Sequence, residues 1–209
     1  MTDYTYTVYD DYSTNETKVV LKELAAKWGF SLIHLQDLTD LPSPNYLRVL
    51  QHAQERAIDD SLPLLIVESD VIIKRNTVAQ LLERNQTLQN PGLIAAVTTH
   101  ENGEINFPYL YASKYPQKTI STVKRLSFCC TLLNIDFLKS YDFKQLNPEK
   151  NWYDVFISRQ SIANGFSNYL AIDLPVVHLP HSSRPWKLEK YKNPLKYYWK
   201  KLILRRDRI

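Results

Sequence analysis

The chain has 209 residues, with 26 Lys+Arg against 22 Asp+Glu, 44% apolar residues and 23% charged ones, which is the length and composition of one folded domain. No run approaches the ~18 consecutive apolar residues of a membrane helix, and Met1-Thr2-Asp3-Tyr4-Thr5 lacks the basic and apolar regions of a signal peptide, so the expected location is the cytoplasm. Adjacent Cys129 and Cys130 cannot by themselves form a disulfide framework or a four-ligand zinc site, as suits a reducing compartment. The glycines at 29, 92, 103 and 165 are too dispersed for a Gly-rich phosphate loop, and there is no G-x-S-x-G elbow.

In chain order, residues 5–9 read as a β-branched and aromatic strand. Ser13 with Glu16 forms a capping-box signature for a helix carrying Val19, Val20, Leu24 and Ala25, and Gly29 stands where that helix should end. Residues 30–35 read as a strand. After Pro42-Ser43-Pro44, the residues Leu47, Leu50, Ala53 and Ala57 fall at helical spacing and lead into the apolar run 62–67, read as a strand buried on both faces. A helix with Val78, Leu81, Leu82 and Leu88 follows, then a buried strand at 92–99, a strand at 126–135, a helix at 152–164 ended by Gly165, and a last strand at 171–178. This alternation predicts an α/β fold with a mostly parallel central sheet flanked by helices.

Glu68-Ser69-Asp70 closes the most apolar strand, and ligands of open α/β sheets bind outside the carboxyl ends of strands. If the chain stays extended there, both carboxylates point to one side and suit Mg²⁺ or Mn²⁺ with a phosphate; an ordinary acidic turn is the alternative. Asp10 and Asp11 also follow a strand, where they could equally form a turn before the helix. Asp154 falls in the first helical turn, with Asn151 as an N-cap candidate. Acids are common there, and the helix dipole keeps them ionised as a general base must be. His178 and His181 end the last strand, as structural residues or as ligands.

Together these pieces resemble family 2 glycosyltransferases of the A-type fold. Val8-Tyr9-Asp10-Asp11-Tyr12-Ser13-Thr14-Asn15 is similar to that family's Val-Val-Asp-Asp-Gly-Ser-Thr-Asp segment, and Glu68-Ser69-Asp70 to its Asp-any-Asp metal motif. The strand at 128–133 is similar to the acceptor-side strand, Tyr153-Asp154 with Gly165 eleven residues on to the Glu-Asp motif, and Val176-Val177-His178 to the closing strand. The ordered likeness spans residues 5–182, with Tyr12, Asn15 and Tyr153 departing from the pattern and the chain beginning at the family's second strand. The resemblance implies that Asp10, with Asp11 beside it, reads the nucleoside of a sugar nucleotide. Asp70 would hold Mn²⁺ or Mg²⁺ on the diphosphate, Glu68 would contact the metal shell or donor, and His178 would contact metal or phosphate. Asp154 would be the catalytic base of an inverting transfer. A sugar-1-phosphate nucleotidyltransferase, with a related sheet, would carry a Gly-rich N-terminal signature that is missing. A degenerate transferase-like domain that binds glycans or proteins is the non-enzyme alternative.

Residues 1–185 form the expected domain and residues 186–209 a basic tail. The tail carries nine Lys/Arg against Glu189 and Asp207, a net +7, which leaves the remainder of the chain at −3. Leu188, Tyr191, Leu195, Tyr198, Trp199 and Leu202 follow helical spacing among the basic residues. That pattern suits an anionic membrane surface, with packing onto the domain as the alternative. An acidic body without a recognised motif argues against nucleic acid. The resemblance and the tail together imply a peripheral enzyme on the inner face of the cell membrane, taking a glycan or lipid-linked acceptor in surface polysaccharide synthesis.

Overall fold

The computed structural model describes residues 4–149 and 152–179; the tail at 186–209, His181 and Asn151 lie outside them. The first layer is β1 (Thr7–Asp10), α1 (Asn15–Trp28) and β2 (Ser31–His34), with β1 and β2 pairing in parallel from Thr7 opposite Ser31 to Asp10 opposite His34. Helix α1 is capped by Thr14, one residue later than the sequence suggests, because its hydroxyl accepts the Thr17 N–H. Gly29 closes the helix in the left-handed conformation, φ 71°, which a residue without Cβ reaches at no steric cost.

After α2 (Tyr46–Asp59) come β3 (Leu64–Val67), β4 (Val71–Ile72), α3 (Thr77–Thr87), β5 (Pro91–Thr99), β6 (Thr119–Ser121), β7 (Cys130–Leu133), α4 (Ile135–Ser140), α5 (Tyr153–Ala163) and β8 (Ser167–His178). These strands form a second sheet in the order β3-β7-β5-β8-β4, with β6 also on β8. The α/β architecture agrees with the sequence reading, but the pairings are mixed. Strands β3, β5 and β8 run the same way, yet β7 enters antiparallel between β3 and β5, and β4 and β6 pair antiparallel with β8. The four residues of β7 stand between β3 and β5, so β3 reaches β5 through β7 rather than directly.

Strand β5 is buried along its whole length and alternates between two cores. Leu93, Ala95 and Val97 face a cluster built with Leu50 of α2, Phe137 of α4 and Ile157 of α5, whereas Ile94 and Ala96 face one containing Leu81 of α3. Each fully buried large side chain contributes about 1.5–3 kcal/mol, so these two faces fix where the strand ends lie. The apolar run predicts a strand buried on both faces, but Leu64, Leu65 and Ile66 of β3 are half-buried and Val67 is exposed, because β3 is an edge strand paired with β7 alone among the described strands. Periodicity cannot distinguish an edge strand from a central one when every residue is apolar.

Helix α2 joins the two sheets. His52 Nδ1 bonds Tyr9 Oη at 2.9 Å and Arg56 donates to Thr7 Oγ1 at 3.0 Å on the β1 side. On its other side, buried Gln54 donates to the Leu138 and Tyr141 carbonyls and accepts the Phe143 N–H at 2.8 Å. No helix among the described residues is long and apolar enough to cross a membrane.

Candidate metal centre and its cleft

The β3–β7 ladder continues one residue past β3, where the Glu68 N–H donates to the Cys129 carbonyl at 3.0 Å, and the chain then turns as the Val71 N–H donates back to the Glu68 carbonyl at 3.0 Å. Glu68 and Asp70 therefore flank a turn instead of alternating along an extended strand. Convergence comes from β8. Val71 pairs with His178, and the Leu179 N–H donates to the Asp70 carbonyl at 2.8 Å, which draws the end of β8 against the turn. Donor atoms of Glu68, Cys129 and His178 consequently lie within 4.8 Å of one another, and Asp70 Oδ2 is 3.5 Å from His178 Nε2.

His178 is 8% exposed, with Nδ1 placed 3.0 Å from the Phe107 carbonyl. A carbonyl only accepts, so this contact assigns a proton to Nδ1 and leaves Nε2 facing Asp70. One ring nitrogen donating to a carbonyl while the other faces outward is the usual orientation of a metal-ligating histidine. With bonds of about 2.0–2.3 Å, ligands on opposite sides of a metal lie about 4–4.6 Å apart, so three donors within 4.8 Å of one another could close onto one ion with small side-chain shifts. Cys129 is 2% exposed, and its thiol donates to Glu68 Oε2 at 3.3 Å with Ser127 Oγ also at 3.3 Å. Burial pushes this thiol far up from its ordinary value, and the Glu68 charge adds to the shift.

Tyr109 holds the approach to β7 in place. Its buried hydroxyl accepts the Ser127 N–H at 2.8 Å and donates to the Ser127 carbonyl at 3.2 Å, and burial raises its pKa well above the ordinary phenol value. Beside His178, a cavity of about 360 Å³ is lined by His100, Glu101, Asn102, His178 and Leu179.

Asp154 sits in the first turn of α5, which begins with Trp152 at the N-cap and no side-chain cap. Its Oδ2 accepts from Arg125 Nη1 at 2.5 Å, and its Oδ1 accepts the Val155 N–H at 2.9 Å. The Arg125 guanidinium lies 5.9 Å from the Phe107 ring centre, and the Phe107 carbonyl is the partner of His178. Asp154 is thus linked to the candidate metal cluster through Arg125 and Phe107, not by direct contact.

Asp10 bonds within the first layer and Asp11 to the loop before α2, rather than to Glu68, Asp70 or His178. Asp10 is 3% exposed and accepts the Ser13 N–H at 3.2 Å and His34 Nδ1 at 2.7 Å. Burial pushes its carboxyl up, but the bonds from Ser13 and His34 outweigh it and hold the carboxyl below its ordinary value. These bonds use two of a carboxylate's roughly four acceptor sites. Asp11 anchors the loop before α2, accepting from Ser43 Oγ at 2.8 Å, the Asn45 N–H at 2.8 Å and Asn45 Nδ2 at 2.9 Å. Tyr12, where the resembled segment has glycine, keeps a left-handed backbone of φ 61° and donates its hydroxyl to the Thr39 carbonyl at 2.5 Å.

Sequence reasoning missed Cys129, His34, Arg125 and Phe107. For His34 a signal existed, since it ends the second strand as Asp10 ends the first. Cys129, Arg125 and Phe107 stand in loops whose course is set by tertiary contacts.

No protein-family model matches the chain, and no curated protein matches it in sequence. Solved structures do match. The crystal structure of GalNAc-T7 with UDP, GalNAc and Mn²⁺ superposes with a TM-score of 0.58 at 11% identity, over 86% of this chain and 38% of that one. The mannosyltransferase PcManGT from Pyrobaculum calidifontis, in complex with GDP-Man and Mn²⁺, superposes with a TM-score of 0.59 at 13% identity, over 95% of this chain and 55% of that one. The chain therefore spans between 38% and 55% of the length of these two proteins. A likeness at such identity establishes architecture, and the architecture is the glycosyltransferase A-type fold.

Proposed function

We propose that the protein is a metal-dependent glycosyltransferase that moves a sugar from a nucleotide diphosphate donor to an acceptor hydroxyl. The observation that carries this reading is the convergence of Glu68, Asp70 and His178 at the carboxyl edge of β3 and β8, on a fold shared with proteins solved with Mn²⁺ and UDP or GDP-Man. Asp70, Glu68 and His178 would hold Mn²⁺ or Mg²⁺, which when bound neutralises the charge of a departing diphosphate. Asp10 retains acceptor capacity for a nucleoside N–H, with Asp11 fixing the neighbouring loop. Asp154 accepts the proton of the acceptor hydroxyl, and attack opposite the leaving diphosphate inverts the anomeric centre. The acceptor is a glycan or a lipid-linked sugar in surface polysaccharide synthesis. The basic tail at 186–209 places the enzyme on the inner face of the membrane.

Calorimetric titration of uridine, guanosine and thymidine diphosphates, with Mn²⁺, with Mg²⁺ and with chelator, tests the reading. Binding of one nucleotide that depends on the metal supports it; equal affinity in chelator sinks the metal bridge. The Asp154–Arg125 pair favours a second reading, a degenerate glycan- or protein-binding domain, because a carboxylate engaged at 2.5 Å must release its guanidinium before it takes a proton. Metal-dependent donor turnover separates the two.

A further inference from the structure

We infer that Cys129 is a metal ligand, and that with Glu68, Asp70 and His178 it forms a mixed sulfur, nitrogen and oxygen site that selects thiophilic divalent ions such as Zn²⁺ or Co²⁺ over Mg²⁺. The inference deepens the metal centre of the proposed function and rests on it for the placement of the other ligands. Three observations support it. The sulfur, a Glu68 oxygen and a His178 nitrogen lie within 4.8 Å of one another, close enough for small side-chain shifts to bring them onto one ion. Cys129 is not a spectator of the core, since its hydrogen-bond contacts are Glu68 Oε2 and Ser127 Oγ, both polar, whereas the adjacent Cys130 points into the apolar cluster around Leu81. And the entry to β7 is fixed from both sides, by the Glu68 N–H on the Cys129 carbonyl and by the Tyr109 hydroxyl on Ser127, so the sulfur is preorganised.

The exchange is balanced. The thiol proton now bridges toward Glu68; a dication entering among the four groups takes the sulfur as thiolate, and the displaced proton leaves to solvent. Carboxylate oxygens alone suit Mg²⁺ and Mn²⁺, while thiolate and imidazole shift preference along the divalent series toward Co²⁺ and Zn²⁺. A site of this kind would hold a thiophilic ion more tightly than Mg²⁺ even before a nucleotide arrives.

The test is Co²⁺ titration of the full chain, followed by absorption, with competition by Zn²⁺, Mn²⁺ and Mg²⁺. The expected result is a near-ultraviolet thiolate-to-cobalt charge-transfer band that Zn²⁺ abolishes and Mg²⁺ does not. Cys129→Ser should eliminate the band and weaken Zn²⁺ binding by roughly tenfold or more, whereas Cys130→Ala should keep both. Thermal unfolding of each variant reports whether it is folded. Should Cys129→Ser fail to fold, the wild-type band and protection of one thiol from alkylation by Zn²⁺ decide the question. Cobalt binding without the band, or an unchanged metal preference in folded Cys129→Ser, overturns the inference. Mn²⁺-dependent nucleotide binding that survives in Cys129→Ser with no band in the wild type leaves the transferase reading standing and removes only the thiolate. A band with no nucleotide binding does the reverse.

Discussion

Asp10 and His34 face each other across the parallel β1–β2 ladder, Oδ2 to Nδ1 at 2.7 Å, with the carboxylate buried and also accepting the Ser13 N–H. A carboxyl whose folded pKa lies below its unfolded value stabilises the fold above the unfolded value, and that contribution disappears as pH falls through the folded one. Asp10→Asn should therefore cost roughly 1.5–3 kcal/mol at pH 7, the scale of hydrogen bonds to a charged group, and much less once the pH has fallen through the lowered folded value. Urea unfolding at a series of pH values checks this; a constant difference across the series contradicts it.

Asp70→Asn replaces the charge that faces His178 Nε2 at 3.5 Å with a neutral amide. Metal-dependent nucleotide binding should fall by at least roughly tenfold, while the melting temperature of the metal-free protein stays nearly unchanged or rises. Calorimetry with Mn²⁺ is the measurement.

Asp154→Asn should abolish transfer and leave donor affinity within about twofold, because the amide keeps the shape and loses the basicity. Arg125→Gln frees the same carboxylate from its 2.5 Å partner. Turnover that persists in Asp154→Asn, with an acceptor identified, removes Asp154 from the base role.

Gly92→Ala should be more damaging than its size suggests. A Cβ there would lie 1.9 Å from Ser161 Oγ and 2.8 Å from Phe166 Cβ, and Ser161 Oγ already donates to buried Asn168 at 2.8 Å. The expected cost is about 1–3 kcal/mol, read as a fall in melting temperature of roughly 2–4 °C per kcal/mol. Adding Ser161→Ala should restore part of it but not all, because the Phe166 contact remains.

The full chain should sediment with anionic vesicles at low salt and much less in 0.5 M salt, about three to five times the physiological ionic strength, where charge attraction is screened within a few ångströms. Salt-insensitive binding, or equal binding to neutral vesicles, argues against the electrostatic anchor read from residues 186–209.

Local chemistry made several elements legible from the sequence. Gly29 and Gly165 mark helix ends because both adopt positive φ, and the largely apolar run around 92–99 announced β5, whose two faces are both covered. Asp10, Glu68, Asp70, Asp154 and His178 could be singled out because strand ends and helix starts carry their own residue signatures. Sheet order could not be read this way. The antiparallel entry of β7 between β3 and β5 depends on pairing between segments far apart in sequence, more than sixty residues for β3 with β7, and the exposure of Val67 follows from that order rather than from the composition of β3.

At the site, sequence alone determined which acids stand at strand ends. Tertiary structure decided which of them meet. The Glu68–Val71 turn and the pairing of Val71 with His178 gather Glu68, Asp70 and His178, while Asp11 is turned onto the Ser43 and Asn45 loop. Cys129 joins the cluster because the last β3–β7 hydrogen bond fixes its backbone beside Glu68. Residue type supplies the donors through local rules that act over a few positions; their convergence needs strand register, which is set by burial and hydrogen bonding across the whole sheet.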